Sequence, residues 1–113
     1  MPIIYFGLGA HGSLDAIRQC GADVIGIDYG LLLDDAVRRL GSGVSVQGNI
    51  EPHVLFQTRQ DIENRVIDTL ERGRAARGHI FNLGHGVPLH APVDGIKAMV
   101  DLVHEKSSAI RTA

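Results

Sequence analysis

Four times along this chain a short run of β-branched and aromatic residues stops at a glycine-containing break and gives way to a stretch with helical spacing. The runs are Ile3-Ile4-Tyr5-Phe6 before Gly7-Leu8-Gly9, Val24-Ile25-Gly26-Ile27 before Asp28-Tyr29-Gly30, Val44-Ser45-Val46 before Gln47-Gly48-Asn49, and His79-Ile80-Phe81 before Asn82-Leu83-Gly84-His85-Gly86. Such short, nearly continuous apolar runs read as strands buried on both faces. The stretches between them predict helices over residues 13–20, 34–40, 59–73 and 92–106. In the third, Thr58 and Asp61 form a capping-box pattern, Ile62, Val66 and Leu70 share a face, and Gly73 supplies the stop. The fourth opens near Pro92 and carries Ile96, Met99, Val100 and Val103 on one face. Ser13 and Asp34 are the expected N-caps of the first two helices, with Leu14, Ile17, Val37 and Leu40 inward and Gly21 and Gly41 closing them.

Strict βαβαβαβα alternation demands parallel strands joined by right-handed crossovers. Two α/β architectures satisfy it: an open doubly wound sheet, or one half of an eight-stranded barrel. At 113 residues the chain holds one domain at most, given roughly 100–200 residues per domain. Both architectures put their chemistry at the carboxyl ends of the strands. Gly7, Gly9, Asp28, Gln47, Asn49, Asn82 and His85 all gather there. The opposite ends, preceded by Ala22-Asp23, Ser42-Gly43 and Arg77-Gly78, are bland, so a site is expected on the carboxyl rim.

Several function classes drop out. A net charge of −2 gives no basic excess for nucleic acid. The lone Cys20 excludes an intrachain disulfide and a Cys-rich zinc site, and its apolar neighbours suggest a small buried hydrophobe. The apolar start, Met1 to Phe6, lacks a basic n-region and is too short for a signal or a membrane span, so a cytoplasmic setting is expected. His79, His85 and His90, spaced by six and five, do not share a helical face and no carboxylate cluster joins them, so no metal site is expected. His53, His90 and His104 read as loop or helix-surface residues. Arg72, Arg74 and Arg77 read as a solvated link, away from the rim.

Two patterns on the rim carry chemistry. Gly7-Leu8-Gly9-Ala10-His11-Gly12 spells G-x-G-x-x-G between a strand and a helix, with Asp28 at the end of the next strand. That is the context of a dinucleotide-binding turn, with Gly7, Gly9 and Gly12 admitting a pyrophosphate and Asp28 the ribose. The same residues also suit an ordinary βα turn, in which His11 could face the site. The second pattern is His85 between Gly84 and Gly86, where the flanking glycines leave the imidazole uncovered for a ligand carboxylate. Equally, His85 could only order its own loop.

Val46-Gln47-Gly48-Asn49-Ile50-Glu51-Pro52 and His79-Ile80-Phe81-Asn82-Leu83-Gly84-His85-Gly86 resemble two specific motifs of the uroporphyrinogen decarboxylase family, Q-G-N-[LI]-[DE]-P and N-L-G-H-G. Val24 to Tyr29 and Val100 to Glu105 resemble the same family in the same order, so the likeness runs from residue 2 to about 107. It implies a (β/α)8 barrel of roughly three times this length, of which residues 1–113 form a single partial domain, the carboxyl-terminal half with its last four βα units. The implied activity is a cofactor-free carboxy-lyase reaction of porphyrin and haem biosynthesis. Protonation of a pyrrole carbon makes the ring an electron sink while an acetate carboxylate leaves as CO2, and four such losses give coproporphyrinogen. The family's catalytic aspartate, arginine cluster and substrate-contacting tyrosine would lie outside this chain, which then holds no catalytic residue and is inactive alone.

Only His85 carries over, as a contact to the carboxylate side chains of the tetrapyrrole. Asp28, Gln47, Asn49, Asn82, Gly84 and Gly86 would fix strand ends and loops around it. The resemblance makes the glycine fingerprint a coincidence, although a small NAD-type module and a non-catalytic barrel-completing subunit remain as rival functions. Asp28-Tyr29 stands where the family favours Asp-Trp, Leu8 where a lysine is common, and the loop from Val87 to Gly95 departs from the family's pattern. Half a barrel also leaves open sheet edges and an apolar inner face, which implies a homo-oligomer or pairing with an amino-terminal half.

Overall fold

The computed structural model describes residues 1–7 and 10–112, without the side chains of residues 10, 11 and 112. The expectations placed on Gly9 and on the side chain of His11 therefore lie outside the described residues. The chain forms four βα units: β1 (Ile4–Phe6), α1 (Leu14–Arg18), β2 (Val24–Gly26), α2 (Leu33–Leu40), β3 (Ser45–Gln47), α3 (Arg59–Arg72), β4 (His79–Ile80) and α4 (Val93–Thr112). Short 3-10 segments at Ala10–Ser13 and Pro52–Phe56 precede α1 and α3. All strand pairs are parallel and the order is β1-β2-β3-β4. A doubly wound sheet reverses its strand order at a switch point. This one does not, and successive helices pack side by side, α1 on α2, α2 on α3 and α3 on α4. The fold is α/β, wound in one direction, with the sheet left open: the arrangement of a partial (β/α)8 barrel.

Register separates the two faces of the sheet. Tyr5, Ile25, Val46 and His79 lie in one row, and Phe6, Gly26, Gln47 and Ile80 in the next. Ile25 and Val46 pack with Leu14, Ile17, Leu33, Val37 and Leu40 in one core cluster, so their row faces the helices. A second cluster joins Ile50, Val54, Leu55, Ile62, Val66, Leu83 and Leu102 beneath α3 and α4. Each fully buried aliphatic side chain in these layers contributes roughly 1.5–3 kcal/mol. The expected burial on both faces is not met on the other side, where Ile4, Phe6 and Ile80 keep 49%, 44% and 43% of their surface exposed because the helices pack against the opposite row.

Several local expectations need correction. Asp34 is not the N-cap of α2: the helix starts one residue earlier, after Leu32, because Leu33 is drawn wholly into the core. The Asp34 carboxylate instead meets Arg72 at 2.8 Å, and that guanidinium holds its pKa below the usual carboxylate value. Ser13 makes no side-chain cap, since the 3-10 segment runs straight through it into α1. Cys20 is exposed, in the turn after α1 has ended. Val100 is 41% exposed. The buried stripe of α4 runs through Ala98 and Leu102, with Ile96, Met99 and Val103 beside it. That helix also outruns its expected end because Ile110 packs on the second cluster and Arg111 caps α3 by donating to the carbonyls of Gly73, Arg74 and Ala76. Arg72 is no solvated link residue either, as it bridges Asp34 and Asp68. The capping box of α3 forms as expected, Thr58 and Asp61 each accepting the other's backbone N–H.

His79 sits at the foot of β4 on the helix-covered face, and its Nε2 donates to the Gly48 carbonyl at 2.6 Å. Burial pushes its pKa below the ordinary imidazole value, outweighing the bond to Gly48, and the nearby Arg111 charge adds to the depression. The unfolded chain binds that proton near pH ~6.5 and the folded chain only at lower pH. Stability from this group is therefore fully present above about pH 6.5 and lost as the pH falls toward the depressed folded value. The urea midpoint is expected to drop between about pH 7.5 and about pH 5.5, and to drop less in His79→Gln, which has no proton to take up.

Candidate functional site

The tips of β2, β3 and β4 are sewn into one rim by backbone and side-chain bonds. The Ile27 N–H donates to the Gln47 carbonyl, Gly48 to Ile80, Ile50 to Asn82 and Gly84 to Ile50. Gly48 carries φ +135°, a left-handed conformation open to glycine, and a Cβ there would lie 2.6 Å from the Ile27 carbonyl oxygen. Asn49 is buried, and its amide donates to the carbonyls of Asp28 at 2.9 Å and Leu31 at 2.5 Å. That one side chain ties the β2 loop to the end of β3 across 21 residues of sequence. Asp28 is buried too, and its Oδ1 accepts the Gly30 N–H at 2.8 Å.

Gly84 is the closest point of the rim. A Cβ built on it would lie 2.7 Å from the Cβ of Tyr29 and closer still to the Tyr29 backbone nitrogen. The β4 and β2 loops therefore touch backbone to backbone, and His85 follows directly on that contact, exposed. A cavity of about 360 Å³ opens beside it, lined by Tyr29, Pro52, His53, His85, Gly86, Val87 and Pro88. Three different strand tips thus supply its walls.

Of the residues singled out in the sequence, His85 and Gly86 line this cavity, Gly84 abuts the lining residue Tyr29, and Asn49 bonds the carbonyl of Asp28, which precedes Tyr29 in the chain. Gln47 is half-buried between Gly26 and Ile80 in the row away from the helices. The side chain of Asn82 is exposed, and its carbonyl takes part in the rim. The dinucleotide reading fares poorly. Asp28 is spent on its own turn rather than offered to a ribose, and α1 has only five residues. The third glycine of a dinucleotide turn exists for close helix packing, yet a Cβ on Gly12 would meet nothing within 4 Å. Tyr29 and His53 were not expected on the cavity. Their signal was positional: each follows a strand's carboxyl end, Tyr29 after Asp28 and His53 after Glu51-Pro52.

Among the described residues, no group of three or more His, Cys, Asp or Glu side chains is placed to hold a metal ion. Nor is any described helix long and apolar enough to cross a membrane.

A sheet wound in one direction, with helices on one face and polar groups collected at its carboxyl rim, defines a segment of an α/β barrel. The family model described as uroporphyrinogen decarboxylase (URO-D) matches residues 1–106, and the chain belongs to that family. It is 47% identical over 107 residues to the uroporphyrinogen decarboxylase of Roseiflexus sp. (strain RS-1), covering 95% of this chain and 31% of that protein. The enzyme of the same name from Salinispora tropica is 48% identical over 105 residues, covering 93% of this chain and 28% of the relative. For Streptomyces avermitilis the figures are 40% over 108 residues, 96% and 30%. The chain thus spans about three-tenths of the length of these curated relatives.

Proposed function

We propose that this chain is the carboxyl-terminal part of a uroporphyrinogen decarboxylase and that its rim holds the carboxylated arms of the tetrapyrrole. The carrying observation is His85, exposed on a loop whose backbone is pinned to the β2 tip at Gly84 and opening on a cavity walled by three strand ends. An imidazole held in this way donates an N–H to a ligand carboxylate without first having to order its own loop. The reaction class is carboxy-lyase, with the protonated pyrrole ring as electron sink, so no cofactor is required. The acid that protonates the ring, and the groups that bind the pyrrole N–H donors, belong to the missing strands.

Residues 1–113 on this reading are one partial domain. Its partner is an amino-terminal set of βα units, or failing that a second copy of the chain, laid against Ile4, Phe6 and Ile80. An exposed, unbridged Cys20 suits the reducing cytoplasm.

Reconstitution tests the proposal. The purified chain is mixed with the amino-terminal portion of the Roseiflexus relative that precedes the matched region, and conversion of uroporphyrinogen to coproporphyrinogen is followed. The chain alone is expected to give no turnover and the mixture to give some. His85→Ala in the mixture should raise KM by about 10- to 100-fold, the value of one charge-assisted hydrogen bond, with kcat little changed. Turnover by the chain alone would overturn the proposal. Turnover of the mixture that ignores His85→Ala would leave only a barrel-completing subunit.

A further inference from the structure

We propose that His53 is a second carboxylate-binding residue of this rim, so that the cavity takes a ligand with two separate carboxylated arms, one on His53 and one on His85. This rests on the reading of the cavity given above and adds a residue to it. His53 lies in the 3-10 segment after β3, on the wall it shares with His85 and Tyr29. Its ring is mostly exposed, yet its position is set. The Nδ1 stands 2.7 Å from Glu51 Oε1, and the same oxygen accepts the backbone N–H of His53 at 3.3 Å. The Phe56 ring flanks it at 6.3 Å between centroids.

A solvent-facing histidine without such support samples several rotamers and loses that freedom on binding. Here the cap on the 3-10 turn already holds the ring. With Nδ1–H on Glu51, the nitrogen left for a ligand is Nε2. With both ring nitrogens protonated each is a donor, one N–H turned to Glu51 and the other to the ligand carboxylate. The arrangement matches the carboxylate–histidine support that orients imidazoles in metal sites, with a ligand carboxylate in the metal's place. If the Glu51–His53 contact were only a surface ion pair, its removal would touch the 3-10 turn and leave ligand affinity alone.

The chain, completed with the amino-terminal portion of the Roseiflexus relative, is titrated into uroporphyrin, the fluorescent oxidised form of uroporphyrinogen, and binding is read by anisotropy. His53→Ala and His85→Ala are each expected to weaken binding by about 10- to 100-fold, the effect of one charge-assisted hydrogen bond. Glu51→Gln, which leaves the ring in place but removes the carboxylate behind it, is expected to weaken binding a few-fold. His53→Gln, able to donate one neutral hydrogen bond, should fall between parent and His53→Ala. If His53→Ala and His53→Gln both bind like the parent while His85→Ala is weakened, the role of His53 is wrong and the reading of the cavity stands. A parent mixture that fails to bind uroporphyrin removes both.

Discussion

Gly84→Ala is expected to separate the β4 loop from the β2 loop and to destroy the site, although it adds only a methyl group. The added carbon would lie 2.7 Å from the Cβ of Tyr29 and nearer still to its backbone nitrogen. A flexible side-chain tip could rotate away from such a collision, but backbone cannot. One of the two loops must move, and the adjacent Ile50–Leu83 bridge, which ties the end of β3 to the β4 loop, is put at risk with it. Overpacking of this kind costs about 1–3 kcal/mol and more where the backbone is the obstacle. The urea midpoint should fall accordingly, and the reconstituted enzyme should lose turnover beyond what lost stability explains. Gly86 two residues on supplies the control. Nothing lies within 4 Å of a Cβ built there, so Gly86→Ala should change stability by no more than about 0.5 kcal/mol. Equal losses at the two positions would show that glycine in this loop serves chain flexibility and not close approach.

Asn49→Asp is expected to be the second most damaging change, and to be partly reversible by acid. The Asn49 amide gives both its N–H bonds to carbonyl oxygens, those of Asp28 and Leu31, in a buried setting. A carboxylate of the same shape has no hydrogen to give and faces two acceptors. Losing these bonds while burying a charge costs about 3 kcal/mol or more. Protonation returns one donor, so the deficit relative to the parent at the same pH should shrink as the pH falls toward the raised pKa of the new carboxyl group. Asn49→Ala should be destabilised at every pH without that recovery. An Asn49→Asp deficit that is small or independent of pH would mean the clamp between the β2 loop and β3 is not what holds the rim.

Much of the fold could be read along the chain because its signals are local. The apolar runs, the alternation of elements and the capping box at Thr58 and Asp61 depend on neighbours within a few residues, and all reappear in the structure. Signals settled by tertiary contact were harder. Asp34 has the chemistry of an N-cap, but burying Leu33 starts α2 earlier and sends the carboxylate to Arg72, 38 residues away. The end of α4 depends on Arg111 finding the carbonyls at the end of α3, which no helical periodicity reveals. At the site, His85 stood out because glycines flank it. The polar strand tips drew attention to the carboxyl rim, where Asp28 and Asn49 join the β2 loop to the end of β3. The work of Asn49 was hidden, since its partners sit 18 and 21 residues earlier. His53 looked like any loop histidine. Its neighbour Glu51 was visible in the sequence, but only the turn of the chain after β3 brings the two side chains together beside His85.

Everything proposed for the site depends on the open face of the sheet being the inside of a barrel that other strands complete. Sedimentation velocity at micromolar concentration tests this directly, using the chain alone and then with the amino-terminal portion of the Roseiflexus relative. The chain alone should sediment above the size of a 12.2 kDa monomer, and the mixture should form a one-to-one complex that Phe6→Asp abolishes by placing a charge on the uncovered face. A compact monomer in both samples, indifferent to Phe6→Asp, would contradict the account.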